Sequence, residues 1–232
     1  MFINARATHK EETIHPLPKE QTNFVFIGYD SREDIAYKVC ENSLARHSSR
    51  PLTIIDLNVS HLRSSGHFTR EWREDNEGQK YDVLDDKPFS TEFVEENYAD
   101  KAVACVKFDW QPTEDTKMDN QKQLGYDKKL WSSLMLFNMK HKDVKNLTSE
   151  DVNTMKGLDL HQFKWTSDDQ IGEIPGSWNH IPEVSQLKDS PNAIHFSLGG
   201  PWFGGKFETM QFAQDWEDEK LLYRNTISET RP

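Results

Sequence analysis

A chain of 232 residues carrying 28 Lys and Arg against 39 Asp and Glu has a formal net charge of −11, which excludes a nucleic-acid backbone as its main partner. Its length allows one α/β domain or two small ones, and neither a repeat array nor a small stapled fold. Apolar residues make up only 35%, but 13 Phe, 7 Trp and 6 Tyr concentrate burial into large side chains, so disorder throughout is excluded.

Residues 1–22 are polar, with Pro16 and Pro18 near the end, and read as an extended or loosely docked arm without a signal peptide. Residues 24–29 (FVFIGY) form a short aromatic and β-branched run, the pattern of a buried strand, with Asp30 at its C-terminal end. Ser31 to Asp34 has capping-box spacing, and Ala36, Val39, Cys40 and Leu44 then fall on one helical face. Residues 51–57 (PLTIIDL) are a second strand, so the chain opens with a β-α-β unit that predicts a parallel sheet. Ligands of such sheets bind beyond the strand C-termini, which is where Asp30 lies.

Residues 58–92 are polar and poor in periodicity, and read as a long loop region with one short helix at most. Residues 102–108 (AVACVKF) and 134–138 (LMLFN) read as two more strands, and 148–155 as a capped helix. Residues 193–197 (AIHFS) are a last strand, followed by the glycine-rich turn at 199–205. The acidic segment 206–232 reads as a solvated helix outside the main domain, 23–205. Cys40 and Cys105 sit among apolar neighbours and are too few for a disulfide scaffold, which fits a reducing, cytoplasmic setting. No stretch is long and apolar enough to span a membrane. The sequons at Asn58 and Asn146 are taken as chance.

Seven segments together resemble one family, the GT-A-fold glycosyltransferases related to family 8, in a bacterial and phage branch of compact chains. They are VFIGYDSREDIAYKV (25–39), SSRPLTI (48–54), YDVLDDKPFSTEF (81–93), TKMDNQKQ (116–123), WSSLMLFN (131–138), DDQIGEIPGSWN (168–179) and AIHFSLGGPWF (193–203). The resemblance implies an α/β GT-A sheet, Rossmann-like and flanked by helices. It also implies transfer of a sugar from a nucleotide-sugar, a UDP-sugar by analogy, to a hydroxyl of a saccharide or other acceptor.

Residue by residue, the resemblance gives Tyr29, Asp30 and Arg32 to the nucleotide. A carboxylate at a strand end can accept hydrogen bonds from uracil N–H or ribose hydroxyls, or else serve as a helix cap. Asp168, Asp169 and Gln170 take the catalytic region, where a carboxylate or amide orients the attacking hydroxyl; adjacent acids there also suit the start of a helix. Ser132, Ser133 and Trp178 fall on the acceptor side. Gly199, Gly200, Trp202 and Lys107 fall near the donor phosphates, and His195 takes the place of a metal-ligating histidine. The plainer reading of His195 is a strand-end histidine beside an ordinary turn, and that of the serines and Lys107 is polar strand ends meeting water.

Two departures bear on chemistry. His195 is one residue closer to Pro201-Trp202 than in the family's His-x-x-Gly-x-x-Lys-Pro-Trp element, and no lysine precedes the proline. The family's Asp-x-Asp pair, which holds Mn²⁺ or Mg²⁺ against the diphosphate, is also missing, because the chain runs from residue 93 almost directly to the strand at 102. Asp85-Asp86 are adjacent and would point to opposite faces, and Asp82 has no acid at i+2. About one βα unit, roughly 30 residues, is absent. Three readings follow: a glycosyltransferase, a catalytically impaired nucleotide- or sugar-binding module, and a remnant of only partial stability. No His-Glu-x-x-His or Gly-x-Ser-x-Gly pattern points to a hydrolase instead.

Overall fold

The computed structural model describes residues 2–3, 23–74, 80–82, 90–91, 98, 100–113, 123–186 and 190–229. Its described strands are short and fall into four small sheets, ordered β1-β10, β3-β2-β6, β4-β5 and β8-β7-β9. The ranges are β1 Phe2–Ile3, β2 Asn23–Tyr29, β3 Leu52–Asn58, β4 Trp72–Glu74, β5 Lys80–Asp82, β6 Ser90–Thr91, β7 Val103–Cys105, β8 Met135–Phe137, β9 Ile171–Glu173 and β10 Ala193–Ile194. The helices are α1 Asp34–His47, α2 Val59–Ser64, α3 Lys142–Asn146, α4 Ser149–Thr154, α5 Gly157–His161 and α6 Ala213–Glu229. The chain divides into two compact units, one of residues 1–24, 33–54 and 175–232, the other of 25–32 and 55–174.

In the first unit, α1 buries Val39, Cys40, Ser43 and Leu44, the three-and-four spacing of one helical face. The helix starts later than the Ser31 capping-box spacing predicts, with Glu33 at its N-cap and no side-chain cap there. Residues 31–33 make a 3-10 turn, the helix begins at Asp34, and it is the Asp30 carboxylate that accepts the Arg32 N–H at 2.9 Å. The helix α6 also differs from expectation, since it is a packed element and not a solvated appendage. Its Ala213, Trp216 and Glu219 recur every three residues and are buried, with Trp216 at 2% exposure. Trp216 joins Val39, Ile194 and Phe196 in a core that Trp202, Met210, Phe212 and Tyr223 cover. Apart from Glu219, the described charges on α6 stay partly or fully exposed, which is why composition alone reads it as solvated. Phe2–Ile3, within the segment read as an arm, pairs antiparallel with β10; residues 4–22 lie outside the described residues.

In the second unit, β2 follows its predicted bounds and alternates, with Val25 and Ile27 buried. The strand β3 lies beside it, and β6 pairs with it antiparallel on the other side. Residues 58–92 hold more than one short helix: besides α2 they contain the antiparallel pair β4-β5 and the strand β6. The central strand β7 pairs antiparallel with β8 and parallel with β9, and β9 is a strand that sequence reading missed. At three residues, β9 carries too little alternation to stand out. The helix α4 bears the expected capping box, in which the Thr148 side chain accepts the Asp151 N–H and the Asp151 carboxylate accepts the Thr148 N–H. Hydrogen bonding from Thr148 holds the Asp151 carboxyl below its usual range. No helix among the described residues is long and apolar enough to cross a membrane.

Candidate functional site

The expected site residues fall into separate groups. At the end of β2, Asp30 is 3% exposed, and its carboxylate is clasped by its neighbour: Arg32 Nε donates to both oxygens at 3.0 and 3.1 Å, and Nη2 donates to Oδ2. A fork matched to a carboxylate fixes both groups. The Arg32 side chain is otherwise half in water, so a cation stands at the end of β2 beside the half-buried Tyr29.

The sheet β8-β7-β9 separates the remaining expected residues of this unit by strand direction. Lys107 follows the C-terminal end of β7, and Ser132 and Ser133 enter the antiparallel β8 at that same edge. The contact is direct, because Lys107 Nζ lies 5.4 Å from the centroid of the Trp131 ring. Trp131 Nε1 donates to the Phe108 carbonyl at 2.9 Å and Gln111 Nε2 to the Tyr126 carbonyl at 3.0 Å, which ties the loop after β7 to the loop before β8. Lys129 Nζ sits 4.5 Å from the Tyr126 ring centroid. On either side of Lys129, Lys128 and Leu130 have φ of 62° and 68°, a left-handed backbone rare outside glycine. Ser132 Oγ is 2.8 Å from His161 Nδ1.

Cys105 lies beneath this edge, and burial pushes its thiol up to about 12, with Lys107 and Lys128 pulling the other way and Glu173 adding to the rise. Burial wins, so the thiol stays protonated and inert. Burial also raises the Tyr126 phenol, which keeps it a donor.

Asp168, Asp169 and Gln170 form a 3-10 turn leading into β9, and the Ala102 N–H donates to the Gln170 carbonyl at 3.0 Å. Because β9 runs parallel to β7, this turn lies at the opposite edge of the sheet from Lys107. Asp168 is exposed and ion-paired with Lys128, whose Nζ also donates to the Gln162 carbonyl. Gln170 Nε2 donates to Asp169 Oδ2 at 2.7 Å, while its Oε1 is 3.0 Å from His141 Nε2. Hydrogen bonds from Ser167 and Gln170 hold the Asp169 carboxyl below its usual range. The chain His141-Gln170-Asp169 was not legible in sequence, since 29 residues separate its first two members.

Trp178, His195, Gly199, Gly200 and Trp202 belong to the first unit. His195 is 7% exposed, with Nδ1 3.1 Å from Asn179 Oδ1. Trp178 is exposed. The glycines are covered by rings: a Cβ on Gly199 would lie 2.5 Å from Phe207 and one on Gly200 2.1 Å from Trp202. Gly199 also needs its glycine for backbone reasons, at φ 118°. Trp202 Nε1 donates to Glu33 Oε2 at 3.0 Å.

The described residues do not fit the Mn²⁺ or Mg²⁺ that the family resemblance implies. Such ions require several oxygen ligands, and among the described residues no group of three or more His, Cys, Asp or Glu could hold a metal ion. Asp85 and Asp86 lie outside the described residues.

Short mixed sheets flanked by helices define a mixed α/β protein. The chain is 35% identical over 243 aligned positions to Protein CDI of Arabidopsis thaliana, covering 92% of each sequence, and it belongs to the family of that protein. No protein-family model matches the chain. No solved structure matches it either.

Proposed function

We propose that this protein is a glycosyltransferase-like protein of GT-A type that binds a nucleotide-sugar and serves, or descends from an enzyme that serves, sugar transfer to a hydroxyl of a saccharide or other acceptor. The observation that carries the reading is the ordered set of seven family-like segments between residues 25 and 203. The buried Asp30 and its Arg32 partner at the end of β2 support it, because ligands of open α/β sheets lie beyond strand C-termini. The edge bearing Lys107, Ser132 and Ser133 supports it for the same reason.

A second reading, a binding module without catalysis, is favoured by the lack of a metal-holding group among the described residues.

Calorimetric titration with UDP-sugars, with and without Mn²⁺, beside a donor-hydrolysis assay, tests the reading. Binding that Asp30→Asn weakens is the expected result, and turnover separates the enzyme from the module. Absence of binding to every UDP-sugar, with or without metal, refutes both readings.

A further inference from the structure

Ser132 and His161 stand 29 residues apart in the chain and meet in the fold, with the serine Oγ 2.8 Å from His161 Nδ1. A hydroxyl and an imidazole within hydrogen-bond reach form a nucleophile–base pair, which is recognised by geometry and roles and not by sequence position. That is why no hydrolase signature in the sequence marks it. Both groups can be reached from outside, since Ser132 is half-buried and His161 exposed. Ser132 also leads into β8 at the edge where β7 ends, and ligands of α/β sheets lie beyond such strand ends.

The backbone around the pair supplies a second observation. Among the described residues five that are not glycine have positive φ, and three of these five flank the pair: Lys128 and Leu130 before Ser132, at 62° and 68°, and Phe163 after His161, at 57°. Residues in this conformation persist only where surrounding contacts hold them, and they gather at functional sites. The contacts that hold them are in place. Trp131 Nε1 donates to the Phe108 carbonyl at 2.9 Å, Lys128 Nζ donates to the Gln162 carbonyl at 3.1 Å, and Phe163 is 0% exposed. The two loops are thus joined twice, by Lys128 to Gln162 and by Ser132 to His161, so hydroxyl and ring are kept in one geometry. His161 is also the last residue of α5, where helix carbonyls favour a cation, the state the imidazole enters on accepting a proton.

We propose that Ser132 is a nucleophile activated by His161 and directed at the carbonyl of a carboxylic ester. Ser132 Oγ bonds to the carbonyl carbon as its proton passes to His161 Nδ1, and the bond from that carbon to the alcohol oxygen breaks, the alcohol leaving with the proton. Water then attacks the acyl-serine, giving one proton to His161, which returns it to Ser132 Oγ as the carboxylic acid departs. Only ester and water are consumed. An uncharged ester also meets no repulsion from a chain of net charge −11, which a free anion would. The dyad is independent of the nucleotide-sugar reading.

The test treats the whole chain with a fluorophosphonate probe, which serine nucleophiles displace fluoride from, and separately with p-nitrophenyl acetate. The probe is expected to label Ser132, located by peptide mass spectrometry, and the ester to release p-nitrophenol. Ser132→Ala should abolish both. His161→Gln keeps an acceptor for the serine hydroxyl but cannot take its proton, so it should slow labelling by about a hundredfold or more at an unchanged melting temperature. In the native chain the labelling rate should rise with pH as an imidazole loses its proton, a profile that His161→Gln abolishes and a purely structural contact would not produce. No labelling, or labelling at another residue, overturns the assignment of Ser132. Labelling of Ser132 that is flat with pH, or equally fast in His161→Gln, overturns the role of His161. Labelling without release of p-nitrophenol overturns the ester as substrate class.

Discussion

Gly200→Ala separates two roles for the glycine-rich turn, a cradle for phosphate and a seat for tryptophan. The backbone at Gly200 has φ −138° and ψ 176°, which alanine adopts freely, so any cost is steric. An added Cβ would stand 2.1, 2.3 and 2.7 Å from three ring atoms of Trp202. Ordinary carbon contacts need about 3.5–4.0 Å, so the ring must retreat by about 1.5 Å. It is hemmed by Phe196, Trp216 and Phe203, with ring centroids at 5.8, 5.4 and 5.7 Å. A retreat of that size also takes Trp202 Nε1 out of reach of Glu33, now 3.0 Å away. Overpacking costs about 1–3 kcal/mol and a hydrogen bond to a charged group about 1.5–3 kcal/mol. The two share one ring movement and do not add fully, which gives about 2–4 kcal/mol. In a chain of this length the melting temperature then falls by about 4–16 °C. Urea denaturation followed by tryptophan fluorescence measures the loss as a lower midpoint at unchanged slope. Gly205→Ala is the comparison, because a Cβ there meets nothing within 4 Å and only the φ of 58° resists it; it should cost about 1–2 kcal/mol. A Gly200→Ala loss under about 0.5 kcal/mol would refute the packing argument.

Glu219→Ala removes the acceptor of Arg46 Nη1 at 2.7 Å and the partner of His47 Nε2 at 3.3 Å, groups that join the end of α1 to α6. Because Arg46 is 35% exposed and water takes up part of the loss, about 1–3 kcal/mol is expected, with Glu219→Gln milder; equal stability of all three proteins in urea would contradict it. Stability should also fall as pH drops below about 6.5, the ordinary histidine value, and level off below the folded value of His180. Burial holds that imidazole's pKa down, although Gln211 opposes the shift, and Nδ1 is buried without a hydrogen-bond partner. The unfolded chain then binds more protons than the folded one across that window, so stability rises with pH through it. Denaturation midpoints from pH 5 to 7.5 check this against His180→Gln, and a constant difference between the two proteins would exclude His180 as the cause.

What the sequence determined by itself is what local physics decides. The run at 24–29 has too few residues for a helix and too many β-branched and aromatic ones for a loop, and β2 forms there. Thr148 and Asp151 cap α4 through contacts three residues apart. The spacing of Val39, Cys40 and Leu44 already shows which face of α1 is buried. Tertiary structure decided the rest, because the deciding partners are distant in sequence. The strand β9 exists as the parallel partner of β7, 68 residues earlier by register, and that pairing sets Asp168 to Gln170 at one edge and Lys107 at the other. The acidic α6 is a core helix because Trp216 meets Val39 and Glu219 meets Arg46. Net charge and residue type tell which groups need burial or a partner; only the fold supplies that partner, and here it gave Lys107 and Lys129 an aromatic seat each.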